Sequence, residues 1–298
     1  MKKSIIMIVI GVLFAIVFLI VFWLIKKNNN RQNTTPSMET IKHIKYSFTI
    51  QNKTNKLVND KKLWVYAPVK RNSFQSCSAI ESKAPFQLIQ SANGNQIIAF
   101  TINDLSPFGT RIINVQAGIV YCSPPGKMEL ASKNKYLMPE VHIESAHLDI
   151  INLAKKLKAS TPLDTARNIY NWVSSNIKYT GYIKNSRGAL YALKHKKGDC
   201  TEFMSLFIAL CRANNIPARG IGGYTCTGDC ILTPGTYHNW AQVYVDGSWL
   251  LADCQKKIFA QENENYIAMQ IITDKTRDFM RGFSRFRFQG TDLKVKMN

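Results

Sequence analysis

The chain has 298 residues, 46% hydrophobic, 11% aromatic and 19% charged, with a formal net charge of +20. That apolar content excludes a disordered chain, and the length allows one large domain or two modest ones. A basic excess attracts anionic lipid, anionic envelope polymer or nucleic acid, but Lys and Arg are spread along the chain without zinc-finger spacing or a basic heptad helix, so it reads first as a basic solvated surface, and no specific nucleic-acid role is expected.

After Ser4 the chain reads IIMIVIGVLFAIVFLIVFWLI, without a charge, as far as Ile25. About 20 apolar residues cross a bilayer as a helix. A cleaved signal peptide has a shorter apolar region and a small-residue cleavage site, whereas this run ends in Trp23, Leu24, Ile25 and Lys26. Residues 1–27 are therefore predicted to be a single-pass membrane anchor, and the Lys-, Asn-, Gln-, Thr- and Ser-rich stretch 28–44 a polar linker. Lys2 and Lys3 before the span nearly balance Lys26, Lys27 and Arg31 after it. A short leading segment with a long trailing domain fits a signal anchor, which places the bulk of the chain outside the cytoplasm.

Residues 45–125 alternate with period two. Tyr46, Phe48 and Ile50 form one run, Ile98, Phe100 and Ile102 another, and Ile113, Val115, Ala117 and Ile119 a third, with turn residues between them. Short alternating strands of this kind predict an antiparallel β-sandwich. Near residues 125–140 the period becomes helical, which marks a boundary and assigns 126–298 to a second domain. Ile150, Ile151, Ala154 and Leu157 make one helical stripe. Thr161 is placed to cap the next helix, with Pro162 at its first position and Ala166, Ile169, Tyr170, Val173 and Ile177 on its buried face. A third helix is predicted from Cys200, with Phe203, Leu206, Phe207 and Leu210 inward and Asn214-Asn215 and Pro217 at its end. Strands follow at 219–224, 238–245 and 248–253.

Of the seven cysteines, at least one is unpaired within the chain. In an oxidising compartment Cys77 with Cys122 and Cys226 with Cys230 are the expected pairs. The Cys226–Cys230 spacing has no second close Cys/His pair, so no zinc is expected. Cys211 falls mid-helix beside the buried stripe and reads as inert packing. Cys200 alone stands at a helix start, where unpaired backbone N–H groups lower a thiol from its free value of about 8.5. Asp199 and Glu202 put carboxylates near the thiol, which raises it, while as N-cap and capping-box partner they direct their charge at backbone N–H groups; the sequence does not rank these effects.

Asp246-Gly247 signals a two-residue hairpin. Val245 then opposes Ser248 and Trp240 opposes Asp253. His238 shares the face of Trp240, so His238 and Asp253 become diagonal neighbours roughly 7–8 Å apart at the backbone. A three-residue turn would put Asp253 on the opposite face. The resulting assignment is Cys200 as nucleophile, His238 as its base and Asp253 as the group that orients the imidazole. The backbone N–H of Cys200 is one candidate oxyanion donor, and the phenol of Tyr179 or Tyr182 a second.

Two stretches carry a resemblance: GDCTEFMSLFIALCRANNIPARGIGGY at 198–224 and HNWAQVYVDGSWLLADCQ at 238–255. They resemble the transglutaminase-like superfamily, with the Cys that opens a helix at Cys200, the following Arg at Arg212, the I-P-A-R segment at Ile216-Pro217-Ala218-Arg219, His-x-Trp at His238 and Trp240, and the late Asp at Asp253. Asn215, Gln242 and Cys254-Gln255 depart from the more usual residues without removing the triad. The resemblance implies a papain-like core, a helix packed on an antiparallel sheet, with residues 45–124 like the β-sandwich that precedes it in some bacterial members; with the transmembrane helix expected from the apolar run, the fold class is α+β. The resemblance implies thioester chemistry on a peptide or carboxamide of a protein or peptide substrate, by hydrolysis or by transfer to an amine. It implies no cofactor, and although some members use calcium, no acidic loop supports a metal here. The alternatives are a catalytically silent scaffold or an envelope-binding module at the membrane.

Overall fold

Alternating strands in the first half of the chain build two sheets and give way to helices packed on a third, and strands from the second half return to pair with the first. The computed structural model describes residues 38–91, 93–130, 132–261, 263–272, 279–280 and 285–298. The expected anchor, 1–27, lies outside the described residues, among which no helix is long and apolar enough to cross a membrane. In chain order the strands are β1 Met38–Asn52, β2 Lys61–Ala67, β3 Gln75–Glu81, β4 Phe86–Gln90, β5 Gln96–Ile102, β6 Thr110–Ser123, β7 Lys178–Tyr179, β8 Lys197–Gly198, β9 Ala218–Thr225, β10 Cys230–Ile231, β11 Tyr237–Val245, β12 Ser248–Asp253, β13 Ile258–Phe259, β14 Tyr266–Ile272, β15 Phe286–Phe288 and β16 Leu293–Met297. The helices are α1 Leu148–Leu157, α2 Pro162–Asn176, α3 Gly188–His195 and α4 Cys200–Ala213.

The first half builds two sheets, β10-β1-β6-β3 with β16 also on β1, and β15-β2-β5-β4. Their inward residues, among them Tyr46, Phe48, Leu63, Phe100, Val115 and Ile119, form one core. Two features differ from the sequence reading. β1 starts at Met38, so the end of the expected 28–44 linker is strand; its period-two pattern simply starts earlier, with Ile44 buried like Tyr46. The 126–298 segment also does not stay apart from the sandwich. β16 pairs with β1 from Phe48↔Met297 to Asn52↔Leu293, and β15 pairs with β2. An uncovered β2 would leave a row of unpaired backbone groups at a sheet edge, and the three residues of β15 cover it.

In the second half a five-stranded sheet, β13-β12-β11-β9-β14, is antiparallel throughout. α4 packs on it and is buried from Glu202 to Arg212. A helix enclosed on all sides is apolar on all sides, and Phe203, Leu206, Phe207, Ile208 and Leu210 share a core with Ile169 and Val173 of α2 and Val243 of β11. The local signals act as expected. The Thr161 hydroxyl accepts from the Asp164 amide at 3.1 Å, and Asn215 takes the left-handed conformation with φ 60° after α4. α3 has no side-chain cap hydrogen bond and gave no signal in advance.

The turn between β11 and β12 has positive φ at both Asp246 (49°) and Gly247 (82°), the type I′ geometry that matches strand twist. The register runs from Val245↔Ser248 to Ala241↔Ala252, as the two-residue turn requires. On the other side of β11, His238 opposes Gly223 and Asn239 opposes Gly222. A Cβ at Gly223 would overlap the Ile267 carbonyl oxygen and sit 2.8 Å from the Trp240 ring. β9, β11 and β14 thus approach closely only because this position has no side chain.

The Cys226–Cys230 disulfide is formed, while Cys77 and Cys122 are free. Cys77 opposes Ile119, whereas the Cys122 amide bonds the Phe74 carbonyl. Three residues of offset along a ladder is about 10 Å, beyond disulfide reach. Gly223→Ala is expected to destabilise the protein by about 1–3 kcal/mol, the usual cost of overpacking a filled site; urea unfolding that left the midpoint unchanged would contradict the close-approach reading.

Candidate active site

α4 begins at Cys200 because two carboxylates organise its first turn. Asp199, the N-cap, accepts from the Thr201 amide at 2.7 Å, and Glu202 returns to the Asp199 amide at 3.0 Å. Both side chains also reach outward. Asp199 accepts from the Ile183 amide at 2.8 Å and Glu202 from the Arg187 amide at 2.8 Å. Asp199 and Glu202 are 3% and 0% exposed, so backbone donors are their compensation for burial. A Cβ at Gly198 would overlap that of Glu202, which explains the glycine. The capping role is realised, alongside the raising effect of the Asp199 charge on the thiol, and it also ties residues 183–187 to the helix start.

The Cys200 thiol nevertheless is not lowered. Burial pushes it up to about 11, the charges of Asp199 and Asp253 add to this, and hydrogen bonds from the Asn239 amide and with Thr201 only partly offset it. The sequence left the helix-start donors and the nearby carboxylates unranked; loss of hydration is the largest cause and sets the upward direction.

β11 delivers the partner. The Asn239 amide reaches the Cys200 sulfur, and its Nδ2 donates to the Thr201 hydroxyl at 3.0 Å. The residues that follow Cys200 and His238 are thus latched together, which sets the start of α4 beside the start of β11. His238 is 5% exposed and lies nearly parallel to Trp240, with ring centroids 6.3 Å apart. Its Nε2 is 2.6 Å from Asp253 Oδ2.

Asp253 ends β12 and is 2% exposed. Oδ2 takes His238 and the Tyr266 hydroxyl, at 2.7 Å; Oδ1 takes the amides of Gln255 and Lys256 at 3.1 and 3.0 Å. Burial alone would raise this carboxyl, but the hydrogen bond and charge of His238, the Lys256 amide and the Tyr266 hydroxyl hold it below the ordinary carboxylate range.

Cys200 and His238 open onto a cleft of about 800 Å³, also lined by Tyr179, Tyr182, Met204 and Gln270. Cys200 and His238 both line this cleft, and Asp253 meets His238 without lining it. Tyr179 and Tyr182 stand on its rim, 50% and 83% exposed, and among the described residues neither hydrogen-bonds Cys200. The cap network does not use the Cys200 amide. Among the described residues no group of His, Cys, Asp and Glu is placed to hold a metal ion. Sequence reasoning missed Asn239, Thr201 and Tyr266. The first two stand next to His238 and Cys200, so adjacency was their only signal; Tyr266 lies beyond both motifs and had none.

Residues 151–254 match the family model of the transglutaminase-like superfamily. No curated protein matches the chain by sequence. Among solved structures, a proposed cysteine protease from Cytophaga hutchinsonii is similar at 16% identity with a TM-score of 0.56, covering 88% of this chain and 92% of its own. The periplasmic domain of TgpA from Pseudomonas aeruginosa, bound to ethylmercury, is similar at 15% identity with a TM-score of 0.39, covering 72% of this chain and 90% of its own. The first of these shares the α+β fold along most of the chain, while the match to the transglutaminase-like superfamily is confined to residues 151–254.

Proposed function

We propose that this chain is a thiol-dependent acyl-transfer enzyme acting on peptide or carboxamide carbonyls, with Cys200 as nucleophile, His238 as base and Asp253 as orienting group. The observation that carries this reading is the 2.6 Å contact of His238 Nε2 with a buried, fully hydrogen-bonded carboxylate at the cleft where Cys200 starts α4. With Nε2 committed to Asp253, Nδ1 is the nitrogen that receives the thiol proton. The sulfur attacks the carbonyl carbon while His238 takes that proton. The Cys200 amide is the first candidate donor to the oxyanion. The intermediate collapses to a thioester, and His238 returns the proton to the departing amine. A water or a second amine then attacks the thioester and gives its proton to His238, and Cys200 leaves as the thiol. Water yields hydrolysis, and an amine yields a crosslink. Asp253 remains ionised throughout and fixes the imidazole.

A thiol near 11 is protonated at neutral pH. The proposed resting site is therefore a neutral thiol beside an imidazole, and base assistance occurs during attack. The protein is further proposed to be held at a membrane by residues 1–27 with the enzyme outside the cytoplasm, bound to anionic lipid or envelope polymer through its positive charge. The Cys226–Cys230 disulfide supports an oxidising compartment.

p-Nitrophenyl acetate is expected to transfer its acetyl group to Cys200, seen by mass spectrometry of the intact protein and its peptides. Cys200→Ala should abolish the adduct, and His238→Ala should slow it about 10²–10⁴-fold, the range for a lost general base. Equal labelling of wild type and His238→Ala would instead favour the silent scaffold. Alkylation of Cys200 by iodoacetamide should rise with pH and level off only near 11; a plateau below about pH 8, the range of an activated cysteine, would mean a preformed thiolate. A phosphatase fused after Asn298 should be active when exported and inactive if the fusion faces the cytoplasm; cytoplasmic activity of a galactosidase fusion would reverse the proposed orientation.

A further inference from the structure

We infer that Tyr266 is a positioning residue of this site, its hydroxyl fixing Asp253 so that the carboxylate faces His238. This rests on the acyl-transfer reading above for its functional meaning, and on geometry for its substance. The Tyr266 hydroxyl donates at 2.7 Å to Oδ2, the same oxygen that His238 Nε2 contacts at 2.6 Å. Oδ1 is held separately by the Gln255 and Lys256 amides. Rotation of the carboxylate would break bonds at both oxygens, so its plane is set, and His238 meets a fixed acceptor.

Tyr266 is itself held. It is 1% exposed, its ring meets Trp240 edge-on at 5.0 Å, and its carbonyl accepts from the Tyr121 hydroxyl of β6 at 3.0 Å. Trp240 in turn lies against His238. The chain that orients the imidazole therefore runs from the sandwich through β14 to Asp253. Tyr266 falls outside residues 151–254, so the element that completes the site comes from beyond the matched domain.

The charge environment supports this role. The groups that face Asp253 are His238 from β11, Tyr266 from β14, Cys200 from α4, Tyr170 from α2 and its neighbour Cys254, with the Lys256 amide at Oδ1. Burial would raise the carboxyl, and Tyr266 is one of the groups that lower it. A carboxylate held low is present above its folded-state midpoint and is lost as pH falls through that midpoint. Removing the phenol raises the midpoint, so function that needs the carboxylate is lost at a higher pH.

The test is Tyr266→Phe, which keeps the ring against Trp240 and deletes only the hydroxyl. The readouts are Cys200 acylation by p-nitrophenyl acetate against pH, and the Asp253 carboxyl followed by carbon NMR in the same full-length protein. Acylation is expected to slow about tenfold, the effect of losing a hydrogen bond to a charged group, and its acid limb and the Asp253 midpoint should both move to higher pH. An Asp253 midpoint that stays in place, or acylation within about twofold of wild type with an unshifted limb, overturns the proposal. If wild type is not acylated, the acyl-transfer reading fails, and the NMR midpoint alone still decides the Tyr266 bond. If the Phe variant does not fold, site-specific fluorotyrosine at 266 replaces it. As a stronger donor of nearly the same shape, it should move the midpoint to lower pH, and no movement counts against the inference.

Discussion

The register of β11 against β12 is the constraint on which the site depends. The Asp246-Gly247 turn sets Val245 against Ser248, and each later pair inherits that offset. A slip of one residue would turn Asp253 to the other face of the sheet and leave His238 without its carboxylate. The slip would also take the buried carboxylate away from His238 and Tyr266, the two donors that other strands supply, at a cost in stability. Turn chemistry and electrostatics therefore select the same register. Gly223 belongs to this constraint, since only a bare Cα lets β9 and β14 close on β11 behind His238.

The start of α4 shows a second consistency. Asp199 and Glu202 near a thiol look unfavourable when charge alone is considered. Their hydrogen bonds give them another role, since they cap the helix and hold the backbone at Ile183 and Arg187, beside the cleft. Beside this capped start is a partly buried thiol that desolvation pushes upward, and on the same cleft a histidine whose Nε2 meets Asp253. Under the proposed function, that direction favours proton transfer during attack over a standing thiolate.

Much of this was legible in local pattern. Period-two runs marked the sandwich strands, the period change marked the helices, and Thr161, Asn215 and the Asp246-Gly247 turn acted through their own backbone chemistry. Cys200 was legible as a helix start, and His238 with Asp253 through hairpin arithmetic. What was not legible depends on distant pairing. β15 and β16 return to the sandwich, and nothing within 286–297 says which strand they will join. The Tyr266 bond to Asp253 needs β14 to cross to β9, with a bulge between Ala268 and Gln270, before the phenol arrives. Cys77 and Cys122 failed as a pair for the same reason, since their offset is set by the β3–β6 register. The direction of the Cys200 shift also required a burial that no local motif reports.

The sandwich is thus more than a spacer. Its β6 supplies the Tyr121 hydroxyl to the backbone of Tyr266, and its Gln75 bonds the backbone of Ala268 in both directions. β14 is held by two strands of the sandwich, and from it the Tyr266 hydroxyl bonds the carboxylate that His238 meets. The most direct test of the central claim is a double-mutant cycle on the rate of Cys200 acylation with His238→Ala, Asp253→Ala and both together. If Asp253 acts only through His238, the double variant is no slower than His238→Ala alone. Losses that multiply, leaving the double variant slower by the product of the two, would contradict it.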